Sequence, residues 1–217
     1  MIHRSIFLFF LASWGLLYAQ TEDDAIFRTP LTSETRPGFV KICADLSGKP
    51  IIKGNFEQTK TIGRLNRSLT SKGAFIIAGD QGMVWETLSP FPSTLVMGKN
   101  YMIQMNASGA KTKIDAAGNA TFIRTAEALA AVFAGNSRKL AEAFEIYFTE
   151  SGGTWTLGLI PSDSSMRVIA SRIAMTGDSV IRTVALYEQN GDGVRYVFSN
   201  YTFPETLNQS EKKLFSL

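Results

Sequence analysis

The stretch IIKGNFEQTKTI, residues 51–62, decides the fold class of this chain. Ile52 and Phe56 fall on one side of an extended chain, whereas Lys53, Asn55 and Glu57 fall on the other. Successive side chains of a β-strand point to opposite faces. The alternation therefore predicts a strand with one apolar face and one polar face.

The same alternation continues to residue 106, interrupted by short segments that favour turns. Glycine, proline and asparagine mark these turns at 63–66, 79–82, 90–92 and 98–100. Alternating strands joined by short turns predict a meandering antiparallel sheet. We predict that the large apolar side chains of these strands share one face.

The second half of the chain repeats this pattern. Alternating apolar residues occupy 155–159, 169–175, 180–186 and 194–198. Asn190-Gly191 predicts a two-residue hairpin turn, because both positions accept a positive φ. Together the two halves predict about ten or eleven strands.

Helical patterns are confined to a few places. Pro37–Leu46 precedes the first strand, Thr125–Phe133 is rich in alanine, and a short helix runs from Ser137 to Phe144. A weaker helical turn covers Ser210–Phe215. Many strands with about three helices predict an α+β fold. So little helix cannot seal a wide apolar face tightly, which predicts a space beneath the helices that holds an apolar ligand.

The first 19 residues have the pattern of a secretory signal peptide. Arg4 precedes an apolar run from Ile6 to Leu17, and Ala19 ends a plausible cleavage site. The apolar run is shorter than the roughly 20 residues that a membrane-spanning helix needs. We therefore predict cleavage after Ala19, an exported protein, and a single domain over residues 20–217.

The charge of the chain argues against a nucleic-acid partner. The net charge of +3 becomes +2 once Arg4 is removed, and no basic stripe with interleaved aromatic residues is present. A local cluster of cations surrounds one predicted hairpin tip, and it comprises Lys60, Arg64, Arg67 and Lys72. This cluster is either a solvated turn or a surface that docks on an anionic membrane.

The sequence lacks the residues that many catalytic and metal sites need. His3 is the only histidine and lies in the predicted signal peptide, so the mature chain has no Ser-His-Asp or Cys-His system. Cys43 is the only cysteine, and alone it cannot complete a tetrahedral zinc site. We interpret Cys43 as a small buried apolar residue. We predict no catalytic residue, no metal and no cofactor, which argues against an enzyme.

Several short motifs resemble those of periplasmic outer-membrane lipoprotein carrier proteins, the LolA-like family. The first are Gly54-Asn55-Phe56-Glu57-Gln58 and Ser71-Lys72-Gly73, followed by Trp85. Gly152-Gly153-x-Trp155 and Asn190-Gly191 extend the likeness over most of the mature chain. The resemblance implies a curved antiparallel sheet that forms an incomplete β-barrel, with the helices acting as a lid over an apolar cavity.

The resemblance also implies a function. Proteins of this family carry the acyl chains of lipoproteins across the periplasm, from an inner-membrane donor complex to an outer-membrane acceptor. We expect a monomeric periplasmic carrier for a lipoprotein or another acylated lipid. The position at which better-known carriers have an arginine that fastens the lid is Gly79 in this chain.

Four of the six methionines after Met1 lie between residues 83 and 105, and methionine adapts readily to varied apolar shapes. We expect Met102 to lie on the outer side, away from the cavity. The predicted cavity residues are Phe56, Phe75, Ile77, Met83, Trp85, Leu95, Met97, Tyr101, Ile103, Met105, Leu129 and Phe133. An alternative remains open, in which the protein is a non-catalytic envelope scaffold that binds a protein partner through its curved sheet.

Overall fold

The computed structural model describes residues 25–79, 81–98, 101–115, 131–133, 135–168 and 170–216. These residues form one eleven-stranded antiparallel sheet that does not close on itself. Its strands are β1 (Ile51–Ile62), β2 (Arg67–Ala78), β3 (Gly82–Ser89), β4 (Ser93–Met97), β5 (Tyr101–Asn106), β6 (Lys111–Asp115), β7 (Phe144–Ser151), β8 (Thr154–Pro161), β9 (Arg172–Gly177), β10 (Ile181–Tyr187) and β11 (Gly193–Thr202).

The strand order is β6-β5-β4-β3-β2-β1-β11-β10-β9-β8-β7, so the two halves of the meander join where β1 pairs with β11. The predicted α+β fold with an open, curved antiparallel sheet of ten or eleven strands is therefore confirmed. The predicted signal peptide, residues 1–19, lies outside the described residues.

The helices are α1 (Arg36–Ser47), α2 (Ser137–Ala143), α3 (Ser164–Arg167) and α4 (Gln209–Leu214). The first, second and fourth match their predicted positions within one or two residues. Of the predicted helix at 125–133, only residues 131–133 are described, and they are helical. No helix in the described ranges is long and apolar enough to cross a membrane.

One face of the sheet, which we call the inner face, carries the main core. Helix α1 places Phe39, Ile42, Cys43 and Leu46 on one stripe, with the spacing of an amphipathic helix. This stripe packs on the inner side chains of β7 to β9, where Phe39 meets Phe148 edge to face at 5.9 Å between ring centroids. Helix α2 adds Leu140, which is almost fully buried.

The opposite face, which we call the outer face, is covered by the two ends of the described chain. The turn at Ile26–Arg28 packs on β9 and β10 through Ile26. At the other end, the C-terminal segment with α4 brings Leu207 and Phe215 against the outer side chains of β3 to β5. Residues Val84 and Val96 are consequently almost fully buried there.

The pairing of β4 with β5 corrects the predicted side-chain assignment. Met97 pairs with Met102, and Val96 pairs with Ile103. Directly paired residues project to the same face, so Tyr101, Ile103 and Met105 lie on the outer face, whereas Met102 lies on the inner one. The predicted faces were therefore wrong for all four residues. Four residues separate Met97 from its partner Met102, and this even number reverses the phase of the alternation.

The turn at Asn190-Gly191 is also longer than predicted. Tyr187 pairs with Gly193, so five residues connect β10 to β11. Gly191 has a φ of +84°, but Asn190 does not have a positive φ. The hairpin was predicted correctly, but its two-residue turn was wrong.

Candidate functional site

A continuous apolar row crosses the inner face from β1 to β5. Ile52 pairs with Ile77, Ile77 with Met83, Met83 with Met97, and Met97 with Met102. At the spacing of neighbouring strands this row extends about 19 Å. Ile52 is buried, but the last four side chains are only half-buried. We call these last four, Ile77, Met83, Met97 and Met102, the methionine row.

A second row of paired side chains on the same face lies two residues further along each strand. Phe75 pairs with Trp85, and Trp85 pairs with Leu95. The Trp85 ring stacks on Phe56 at 4.2 Å between centroids and meets Tyr196 edge to face at 5.3 Å. Aromatic pairs in such arrangements are more stable than their buried area alone suggests. The two rows together form an apolar surface. We call its aromatic part, formed by Phe56, Phe75, Trp85 and Tyr196, the aromatic floor.

Two glycines explain how this floor forms. In the register, Gly54 lies opposite Phe75 and Gly73 lies opposite Phe56. A Cβ atom at Gly73 would lie 2.6 Å from Cζ of Phe56, and one at Gly54 would lie 2.8 Å from Cε1 of Phe75. Each ring therefore covers the backbone of the glycine opposite it, and a larger residue at either glycine would displace the ring.

The structure brings together most of the predicted cavity residues. Phe133 joins the aromatic floor, with its ring centroid 5.9 Å from that of Phe198 and 6.3 Å from that of Phe75. Leu129 lies outside the described residues. The inner-face members are Phe56, Phe75, Ile77, Met83, Trp85, Leu95, Met97 and Phe133.

Met102, Tyr196 and Phe198 also lie on the inner face, although they are not among the predicted cavity residues. Met102 could have been found only from the β4–β5 register. Tyr196 and Phe198 were part of the alternation over 194–198, but only the pairing of β11 with β1 brings them beside Phe56. Their rings are stacked at 6.0 Å.

The space that the sequence predicts beneath the helices is not found under α1, where the described side chains fill it. One gap between α1 and strands β7 to β9 has a volume of ≈ 10 Å³, and a second gap around Leu46, Ile52 and Phe133 has ≈ 10 Å³. Each is no larger than a single water molecule requires. A wider cavity of ≈ 450 Å³ lies on the outer side of the sheet, beside Val197 and the Glu57–Lys72 ion pair, so its lining is partly charged. The open apolar surface is therefore the part of the inner face that β2 to β5 provide.

Three polar groups of the inner face are neutral near pH 7. Burial raises the pKa of Tyr196 to about 12 and that of the Cys43 thiol to about 11. Burial also raises the pKa of Tyr201, whose hydroxyl donates a hydrogen bond to the carbonyl oxygen of Ile181. No group of three or more metal-ligating side chains occurs among the described residues. The surface can thus bind an apolar chain, but none of these three groups titrates near neutral pH.

A family model matches the chain over residues 50–216, which includes every strand and α2 to α4. This model is described as "Outer membrane lipoprotein carrier protein LolA". A comparison with curated protein sequences gave no significant match.

Solved structures that are similar to this chain have low sequence identity to it. One is a LolA superfamily protein from Nitrosomonas europaea, with 8% identity and a TM-score of 0.43 over 82% of this chain and 96% of that one. Another is the lipoprotein LppX from Mycobacterium tuberculosis, with 10% identity and a TM-score of 0.45 over 82% of this chain and 100% of that one.

Proposed function

The chain belongs to the family of outer-membrane lipoprotein carrier proteins, LolA, and we propose that it is an exported, non-catalytic carrier for acyl chains. In this proposal the cargo is a lipoprotein or another acylated lipid. The carrier takes it up from an inner-membrane donor complex in the periplasm and passes it to an outer-membrane acceptor. The acyl chain lies along the methionine row and over the aromatic floor.

The observation that carries this proposal is the half-burial of the methionine row. Large apolar side chains that remain partly exposed in a folded domain are typical of binding surfaces. Three of the four side chains are methionines, whose flexible thioethers adapt to chains of different shape. The row is also long and continuous, so an extended hydrocarbon chain can contact all four members at once.

Free energies explain why the cargo should bind against a surface that can open. Transfer of a 16-carbon chain from water to an apolar environment is favourable by roughly 12 kcal/mol, at about 0.8 kcal/mol per methylene. A rigid closed cavity would retain such a chain too strongly for transfer. Because the space beneath α1 is already filled, a longer chain can enter there only if α1 moves, and that movement offsets part of the binding energy.

Gly79 contributes to the site in a different way from the arginine that the family resemblance suggests at this position. Its backbone N–H donates a hydrogen bond to the carbonyl oxygen of Pro50, at 3.2 Å. This bond attaches the β2–β3 turn to the start of β1. A glycine has no side chain to fasten a lid, so we propose that the apolar contacts of α1 hold the lid closed.

Tryptophan fluorescence tests the proposed position of the chain. Trp85 lies in the aromatic floor, whereas Trp155 is buried under α1 and its indole N–H donates to the carbonyl oxygen of Asp178 at 2.7 Å. We expect a fatty acid brominated near the middle of its chain to quench the protein that comprises residues 20–217. Trp85→Phe should remove this quenching, because only Trp155 would then fluoresce.

A charged side chain in the methionine row should also weaken binding of the acyl chain. Met83→Glu is expected to weaken binding of a fluorescent fatty acid by at least about tenfold, because a carboxylate there must be desolvated by the chain. Val197→Glu is the matched control, since Val197 lies on the outer face with about half of its surface exposed. Equal quenching in the Trp85→Phe variant, or full binding by Met83→Glu, would contradict the proposed site.

A further inference from the structure

The turn between β1 and β2 combines apolar and positively charged side chains at one end of the sheet. The side chains of Leu65 and Leu69 are 61% and 60% exposed. Lys60 pairs directly with Leu69, and Arg64 and Arg67 flank Leu65 closely in sequence. None of these three cations forms an ion pair within the described part of the chain. We call residues 60–69 the hairpin tip.

The neighbouring turn between β3 and β4 extends this surface. Ser89 pairs with Lys72, so β3 ends three residues along β2 from the hairpin tip. Phe91 follows in that turn and is 82% exposed, and Leu88 is 54% exposed. Four exposed large apolar side chains, two in these turns and two near the adjoining strand ends, therefore lie at the same end of the sheet, together with unpaired cations.

The hairpin tip is held in shape and is not a frayed loop. The carboxylate oxygen Oδ1 of Asp192 accepts a hydrogen bond from the backbone N–H of Gly63 at 2.9 Å. A Cβ atom at Gly63 would lie 2.7 Å from the carbonyl oxygen of Gly191, so the two turns are in close contact. Asn66 completes the turn in the left-handed region, with a φ of +47°. The exposed leucines are thus presented by an ordered structure.

We propose that the hairpin tip and the adjoining β3–β4 turn dock on the surface of an anionic phospholipid bilayer. Leucine and phenylalanine side chains enter the boundary between headgroups and acyl chains, while lysine and arginine remain at the level of the phosphates. Each cation near an anionic bilayer raises the affinity by about fivefold. Two such turns, with three cations, give weak and reversible docking, which suits a protein that must leave again.

The hairpin tip lies far from the methionine row. Leu69 and Ile77 lie on the same strand eight residues apart, which corresponds to about 26 Å along β2. Variants at the tip therefore leave the methionine row intact. The docking proposal goes beyond the carrier function, and each can fail without the other.

Vesicle flotation tests the docking. The protein comprising residues 20–217 is mixed with vesicles of equal parts phosphatidylglycerol and phosphatidylcholine, or of phosphatidylcholine alone. We expect binding to the anionic vesicles that weakens as salt is raised. Arg64→Gln/Arg67→Gln should weaken that binding by about 25-fold, at fivefold for each cation. Leu65→Ser/Leu69→Ser should weaken it by at least about tenfold.

Matched controls make the outcome specific. Lys212→Gln/Lys213→Gln removes the same charge from α4 and should leave binding unchanged. Met83→Glu should also bind vesicles normally, which separates docking from cargo binding. The proposal is overturned if the wild type does not float with anionic vesicles, or if the α4 variant weakens binding as much as the tip variant. Retained binding after loss of both leucines, or equal binding to a polyanion such as DNA, would likewise overturn it.

Discussion

The two halves of the inner face differ in what covers them. On β7 to β9, alternating apolar residues such as Phe148, Leu157 and Leu159 are buried beneath α1. On β3 to β5, residues of the same kind, such as Met83 and Leu95, remain half-buried. The alternation in sequence is equivalent in the two halves. A strand pattern therefore selects a face, whereas the helix above that face decides between core and binding surface.

The largest expected effect comes from removing one leucine in each half. Leu159 is fully buried, so Leu159→Ala should lower the free energy of unfolding by about 2–5 kcal/mol, through lost burial and a new cavity. Leu95→Ala should cost about 1 kcal/mol or less, because Leu95 is half-buried and its loss leaves no closed cavity. Urea unfolding measures both. Equal losses would mean that both halves are core, and the comparison would fail.

A smaller loss of stability is expected from a substitution at Gly135, which contacts α1. Gly135 has a φ of +57°, and a Cβ atom there would lie 2.1 Å from the carbonyl oxygen of Cys43. Gly135→Ala should therefore lower the free energy of unfolding by about 2–3 kcal/mol and loosen α1, since strain and a backbone clash add together. The rate at which a thiol reagent labels Cys43 measures the loosening.

Gly152→Ala is the control for this variant. Gly152 has a nearly identical φ of +59°, but a Cβ atom there would meet nothing within 4 Å. Gly152→Ala should lower the free energy of unfolding by only about 1–2 kcal/mol, because alanine is strained in the left-handed conformation. The rate of Cys43 labelling should stay at that of the wild type. If both variants label equally fast, the contact between Gly135 and α1 does not keep the covered half closed.

The smallest effect is a dependence of stability on alkaline pH. The folded pKa of Cys43 is about 11, above the ordinary value of 9.0, because burial disfavours the thiolate. Between pH 9 and 11 the unfolded chain loses this proton before the folded chain does. Stability therefore falls as pH rises, by about 1 kcal/mol between pH 8 and pH 10.

Cys43→Ala isolates this contribution from those of lysine and tyrosine. The wild type should lose more stability than the variant over the same pH range, as measured by urea unfolding at each pH. The thiol also reports on α1, because at pH 8 only about 0.1% of a group with this pKa is ionised and labelling is slow. Parallel pH profiles for the two proteins would show that Cys43 is not buried as described.

Most of the fold could be predicted from the sequence because its signals are local. The alternation from Ile52 to Phe56 depends only on strand geometry, and the stripe from Phe39 to Leu46 only on helix geometry. The turns between strands follow from glycine, proline and asparagine. Eight of the predicted cavity residues consequently lie on or beside the inner face.

The remaining site residues could not be predicted because their positions depend on register. A shift of one residue reverses every side chain of a strand, and this explains the misassignment of Met102 and Ile103. Ile103 is buried by Leu207 and Phe215, which are more than 100 residues away in sequence. Burial by so distant a segment leaves no local signal at Ile103 itself.

The sequence by itself determined that this chain forms a long antiparallel meander with few helices, since strand and turn preferences are properties of short segments. It also determined the positive charge that the β1–β2 turn carries. Only the tertiary structure decided that β11 joins β1 and that α1 fills the β7–β9 half. Only the tertiary structure aligned Met83, Met97 and Met102 and kept them half-buried, because pairing and packing depend on residues that are distant in the chain.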